Sequence, residues 1–122
     1  MADPPSTKVL LADKPGFGRT ALAGLLKDTP GITLVGKLGK RDLIKPAIEE
    51  TRPDVLVIDD RLLRDDRWTG GDLGVRLIVV GVDDDPGFAT RARHIGAEEW
   101  VPKDQADAIL PLLLMPREPV SR

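Results

Sequence analysis

The chain has 122 residues, a formal net charge of −2, no cysteine and one histidine, His94. That excludes a disulfide framework, a thiolate nucleophile and Cys- or His-rich metal sites, and it leaves any Ser-His-Asp triad dependent on His94 alone. The near-balanced charge favours neither nucleic acid nor an anionic membrane. No apolar run reaches the length of a membrane span, and Met1-Ala2-Asp3-Pro4-Pro5 lacks a basic-then-apolar leader pattern, so a cytoplasmic location is expected. Aromatics are few (Phe17, Trp68, Phe88, Trp100), too sparse for base-stacking platforms. The length suits one domain, expected over residues 7–115, with a tail at 1–6 and a second tail or the start of a linker at 116–122.

Lys8–Ala12 is an apolar run ending at Asp13 and predicts a buried strand, broken by Lys14-Pro15-Gly16. Phe17, Ala21, Leu22, Leu25 and Leu26 then recur at helical spacing until Pro30-Gly31 stops the helix. Ile32–Val35 predicts a short second strand, with 36–40 as a loop. Asp42 is a candidate N-cap for a helix reaching Glu50, with Pro46 near its first turn.

Val55-Leu56-Val57-Ile58 follows Pro53-Asp54 and runs straight into Asp59-Asp60-Arg61. Such a continuous apolar run suits a strand buried on both faces of a parallel sheet. Leu62 and Leu63 lead into a charged stretch with Trp68 and Gly70-Gly71, where a loop or a short irregular helix is expected. Leu77–Val80 predicts a fourth strand. Asp83-Asp84-Asp85-Pro86 looks like a helix start with proline at the first helical position, and that helix ends near Gly96. Trp100-Val101 predicts a last strand, which Pro102 restricts to a sheet edge. Asp104 is the expected cap of a final short helix containing Ile109 and Leu112. The alternation gives a parallel sheet with helices on both faces.

Two motifs are decoys. Gly31 to Lys37 has P-loop spacing, but Leu38 stands where a hydroxyl should hold magnesium, and the segment lies on a strand. Gly16-Phe17-Gly18 resembles a dinucleotide fingerprint, yet no acid ends the second strand. The acids carry more. Asp13 ends the first strand, Asp59 and Asp60 end the third, and Lys103 follows the fifth on the same edge. With strand order 2-1-3-4-5, Asp13 and Asp59 converge. Two carboxylates and a lysine there can hold a hard cation or a phosphoryl group. Read from the residues alone, they serve equally well as polar strand ends with local caps.

Over residues 7–114 the chain resembles the receiver domain of two-component response regulators. The resemblance rests on Leu10-Leu11-Ala12-Asp13, on Thr29-Pro30-Gly31-Ile32-Thr33-Leu34-Val35-Gly36, and on Arg52-Pro53-Asp54 leading to Asp59. Ile78-Val79-Val80-Gly81-Val82, Asp84-Asp85-Pro86, Ile95-Gly96-Ala97, Trp100 and Lys103-Asp104 complete it. It implies a flavodoxin-like doubly wound α/β fold with a five-stranded parallel sheet of order 2-1-3-4-5 and a third helix that is short or irregular. It implies Asp59 as phosphoacceptor, an acidic pocket with Asp13 and Asp60, and Lys103 on the phosphoryl group. Asp13, Asp59 and the Arg61 carbonyl would be the ligands of any magnesium; no other cofactor and no enzymatic activity are implied.

The departures point to an atypical member. Lys14 replaces the second acid of the metal-holding pair, Gly81 replaces the switch hydroxyl, and Trp100 stands at the switch aromatic. Lys14 is therefore expected to join Lys103 in the pocket and stand in for the cation. Signalling through protein contacts with little or no phosphorylation is expected; the alternative is an orthodox receiver phosphorylated on Asp59 in a phosphorelay controlling transcription, and a third is an enzyme or nucleotide binder on the same fold. The implied partners are a histidine kinase or an output protein. Self-association or binding of a partner is expected through the face made by the helix after Pro86, the last strand and the last helix with its apolar Leu112-Leu113-Leu114-Met115 run, with no direct contact to nucleic acid or membrane.

Overall fold

The computed structural model describes residues 6–63, 74–81 and 87–114. Five strands, β1 (Thr7–Ala12), β2 (Ile32–Leu38), β3 (Val55–Asp59), β4 (Arg76–Gly81) and β5 (Glu99–Pro102), form one parallel sheet in the order β2-β1-β3-β4-β5. Among the described residues, four helices, α1 (Phe17–Lys27), α2 (Ile44–Thr51), α3 (Phe88–His94) and α4 (Ile109–Leu114), cover it. The expected architecture and order hold. Among the described residues, no helix is long and apolar enough to cross a membrane.

Alternation along the strands builds two cores. Val9, Leu11, Val55, Val57, Ile78 and Val80 face α1 and α4, joining Leu22, Leu26, Ile109 and Leu113. Leu10, Leu56, Ile58, Leu77 and Val79 face the other side, joining Ile44 and Ile48 of α2 and Phe88 and Ala92 of α3. The central strands carry apolar residues at successive positions because both faces are covered.

Several boundaries differ from the sequence reading. β2 runs through Gly36 to Leu38, into the loop predicted at 36–40, because β1 continues to pair with it after a register shift at Val9/Leu10. A side chain at Gly36 would stand 3.0 Å from Leu10 Cδ1, so glycine suits that irregularity. Asp42 lies in a 3₁₀ turn, Arg41–Leu43, and does not cap α2, whose N-cap is Leu43. Pro46 falls in the first turn of α2, where its missing N–H breaks no bond. α3 runs from Phe88 with Gly87 as N-cap; the helix start expected at Asp83 to Pro86 lies outside the described residues. Pro102 ends β5, the edge strand, as its missing donor requires. Asp104 lies inside a 3₁₀ stretch, Lys103–Ala108, and makes no cap. After β3 the chain makes a 3₁₀ turn, Asp60–Leu63; the rest of the predicted irregular third helix, with Trp68, lies outside the described residues, as do Asp83 to Pro86 and Met115.

Candidate functional site: a self-neutralised acidic pocket

The site follows from register. Ala12 pairs with Ile58, so Asp13 and Asp59, the next residues on each strand, lie side by side at the C-terminal edge of the sheet. Alternation then sends consecutive residues to opposite faces. Asp59 falls on the side of α1 and α4, and Asp60 on the side of α2 and α3. All three acids are buried: Asp13 is 0% exposed, and Asp59 and Asp60 are each 1% exposed. Burying three carboxylates is tolerable only if each is paired.

Lys103 enters from the end of β5. Its ammonium donates to Asp59 Oδ2 at 2.5 Å and lies 2.7 Å from Asp13 Oδ2. The second contact is off the axis of a hydrogen bond, so charge alone holds Asp13 Oδ2. The lysine stem passes over α1 at Gly18, where a Cβ would stand 2.9 Å from both Cε and Nζ. The glycine of the decoy fingerprint is thus what lets the ammonium reach both acids.

Arg61 closes the other side. Its backbone N–H donates to Asp59 Oδ1 at 2.7 Å, its Nε to the same oxygen at 3.1 Å, and its Nη2 to Asp13 Oδ1 at 3.1 Å. Each of the four carboxylate oxygens therefore faces a cation, and two negative charges meet two positive ones. Lys14 is exposed and forms no ion pair with Asp13 or Asp59 among the described residues. The expected stand-in for the metal is thus corrected: Lys14 is out of the pocket, and Arg61 acts with its guanidinium, where only its carbonyl was foreseen. The adjacent Asp13-Lys14 pair drew attention to the wrong cation, since a residue just past the strand end can turn out to water. The signal for Arg61 was its position two residues after Asp59, within reach of the same carboxylate.

The two carboxyls are displaced in opposite directions from the ordinary carboxylate range. Burial acts to raise Asp59, but hydrogen bonds from Lys103 and from the backbone and guanidinium of Arg61 outweigh it and hold the carboxyl below its ordinary range. Burial pushes Asp13 up; the Lys103 ammonium works against it, and the Asp59 charge adds to the rise. Hydrogen bonding to Asp59 holds the Arg61 guanidinium more firmly protonated.

Asp60 takes a separate partner. Arg91 of α3 grips it bidentately, Nε to Oδ1 at 2.7 Å and Nη2 to Oδ2 at 2.5 Å. Asp60 is therefore not a third acid of the Asp13–Asp59 pocket. Beside it, Gly81 ends β4, and a Cβ there would meet Phe88 Cε1 at 2.8 Å and Asp60 Cβ at 2.9 Å. The space a side chain at Gly81 would take is filled by the Phe88 ring. Trp100 is half-buried on β5, with the Arg93 guanidinium 5.7 Å from its ring centroid.

Magnesium does not fit this arrangement. It needs near-octahedral oxygen coordination. Here the two carboxylates on one side are already occupied by an ammonium and a guanidinium, and no group of three acids or histidines among the described residues could hold a metal. A divalent ion would have to expel both cations from a pocket that is already neutral.

No protein-family model and no curated protein matches the chain. Solved structures do. The signal receiver domain of the NarL response regulator from Mycobacterium tuberculosis superposes with a TM-score of 0.72 at 19% identity, over 90% of this chain and 98% of that one. The response regulator domain of Thermotoga maritima CheB gives 0.68 at 18% identity, over 88% and 93%. The isolated receiver domain of Salmonella enterica RcsB, solved with the phosphomimetic BeF3−, gives 0.70 at 17% identity, over 88% and 84%. The chain has the fold of response-regulator receiver domains.

Proposed function

We propose that this chain is an atypical receiver domain in two-component-type signalling, working mainly through protein contacts with Asp59 phosphorylated slowly or not at all. One observation carries the reading: Lys103 and Arg61 already supply the positive charge at Asp13 and Asp59 that a divalent ion would bring. A phosphodonor brings further negative charge to this pocket. Without a metal, and with Gly81 offering no hydroxyl, little is left to hold the incoming group.

Lys103 on Asp59 Oδ2 favours a second reading, an orthodox receiver that accepts phosphate on Asp59. The acceptor is buried at the strand end, ionised, and has a cation in place. Incubation with acetyl phosphate and magnesium, followed by intact mass, separates the two. An unmodified mass supports the contact-only reading; a phosphoryl adduct mapped to Asp59 supports the orthodox one.

Likeness to response regulators of the NarL, RcsB and LuxR groups suggests a histidine kinase or a transcriptional output protein as partner. The contact face we assign is that of α3, β5 and α4. There Trp100 lies half-buried against Arg93, and Leu114 is 44% exposed while Leu113 is buried. A strict monomer by light scattering removes the homodimer form of this assignment.

A further inference from the structure

We propose that Asp60, Arg91 and Phe88 lock α3 onto the sheet edge, so that the helix keeps its place whatever the charge on Asp59. This goes beyond the reading of Asp59 and holds whether or not that residue is phosphorylated.

α3 has seven residues, Phe88–His94, and its N-cap is Gly87, which has no side chain to cap with. A helix this short does not stand by itself; tertiary contacts must hold it. Only Phe88 and Ala92 are buried. Its C-terminus is stopped by a Schellman turn: Gly96 at φ 81°, Gly96 N–H to Arg93 O at 3.0 Å, and Ala97 N–H to Ala92 O at 3.0 Å. That turn ends the helix without anchoring it to the sheet.

Among the described residues, three contacts anchor the helix. The bidentate Arg91–Asp60 pair joins the middle of α3 to the residue just past β3, with Asp60 1% exposed and the Arg91 side chain 28% exposed. Phe88, 5% exposed, fills the space that Gly81 leaves at the end of β4. Arg93 over Trp100 ties the same helix to β5.

The lock is insulated from the pocket by alternation. Asp59 faces α1 and is matched by Lys103 and Arg61, whereas Asp60 faces α3. A side chain at position 81 would stand on the Asp60 side, 2.9 Å from Asp60 Cβ, where it would press on Phe88 and Asp60. There is none, and the ring of Phe88 occupies its place.

Hydrogen exchange by mass spectrometry tests this, read as the rate of the 87–97 segment relative to β1 and β3. Arg91→Gln alone leaves a buried unpaired carboxylate and can unfold the chain, so the variant is the double Asp60→Asn/Arg91→Gln. If it does not fold, Asp60→Leu/Arg91→Met, an apolar pair of similar reach, is read the same way. The expected result is relative exchange of α3 at least about tenfold faster in the uncharged pair. The parent and Asp59→Asn should agree within about twofold. Unchanged α3 exchange in the uncharged pair overturns the lock. Faster relative exchange of α3 in Asp59→Asn overturns its independence from the pocket.

Discussion

Arg61→Ala tests the idea that a side-chain cation does the work of a metal ion. The substitution removes guanidinium bonds to Asp59 and Asp13 and keeps the backbone N–H bond to Asp59. Each lost bond joins a charged donor to a buried carboxylate, worth about 1.5–3 kcal/mol where the pair is shielded from water. The Arg61 side chain is 44% exposed, so solvent screens the guanidinium and the lower end applies, with a total near 1–3 kcal/mol. The pocket is left with two carboxylates and one ammonium. A divalent ion then has both charge to neutralise and room to enter. With a dissociation constant near 1 mM, magnesium at about 10 mM would return roughly 1.4 kcal/mol. Urea unfolding at pH 7 with and without magnesium gives both numbers. The parent midpoint should not respond to magnesium, and the Arg61→Ala midpoint should fall and then be partly restored by it. Equal stabilisation of parent and variant by magnesium, or no loss on removing Arg61, refutes the reasoning.

Gly24→Ala and Gly18→Ala form a matched pair on α1: a Cβ meets nothing within 4 Å at Gly24 but stands 2.9 Å from the Lys103 ammonium at Gly18. The first should gain up to about 1 kcal/mol in thermal unfolding, and the second should fall clearly short of it; equal gains would mean that Lys103 does not need the space. Gly81→Ser should lose about 1–3 kcal/mol through its clash with Phe88 and recover part of that when Phe88 is also shortened to Leu; a neutral single variant would contradict the packing. The Asp59 carboxyl is depressed, so its contribution to stability is fully present above its unfolded pKa, about 4, and is lost as pH falls through its lower folded value. The stability gap between parent and Asp59→Asn should therefore be constant from about pH 7 to 5 and close in acid; a gap that persists in strong acid argues against the depressed pKa.

The fold was legible because buried parallel strands write themselves as short apolar runs, as in Val55-Leu56-Val57-Ile58, and because Pro30-Gly31 and Gly96 mark where helices stop. Strand order then put Asp13 beside Asp59 without any side-chain information. What could not be read was which cation turns inward. Lys14 and Arg61 both flank acids in sequence, and only the 3₁₀ turn after β3 aims Arg61 back over the pocket and leaves Lys14 in solvent. The role of Gly18 was hidden for a similar reason, since a lysine 85 positions later in the chain decides it. The end of β2 was misplaced because Gly36 reads as a breaker, whereas its pairing with β1 is set by the neighbouring strand.

The most direct measurement is a magnesium titration of the parent protein at pH 7, by calorimetry and by the NMR carboxyl signals of Asp13 and Asp59. If Lys103 and Arg61 already fill the place of the cation, the titration should give only heats of dilution and leave both carboxyl signals unmoved at millimolar magnesium. A saturable heat accompanied by shifts of both carboxyls would show that the pocket still belongs to the metal.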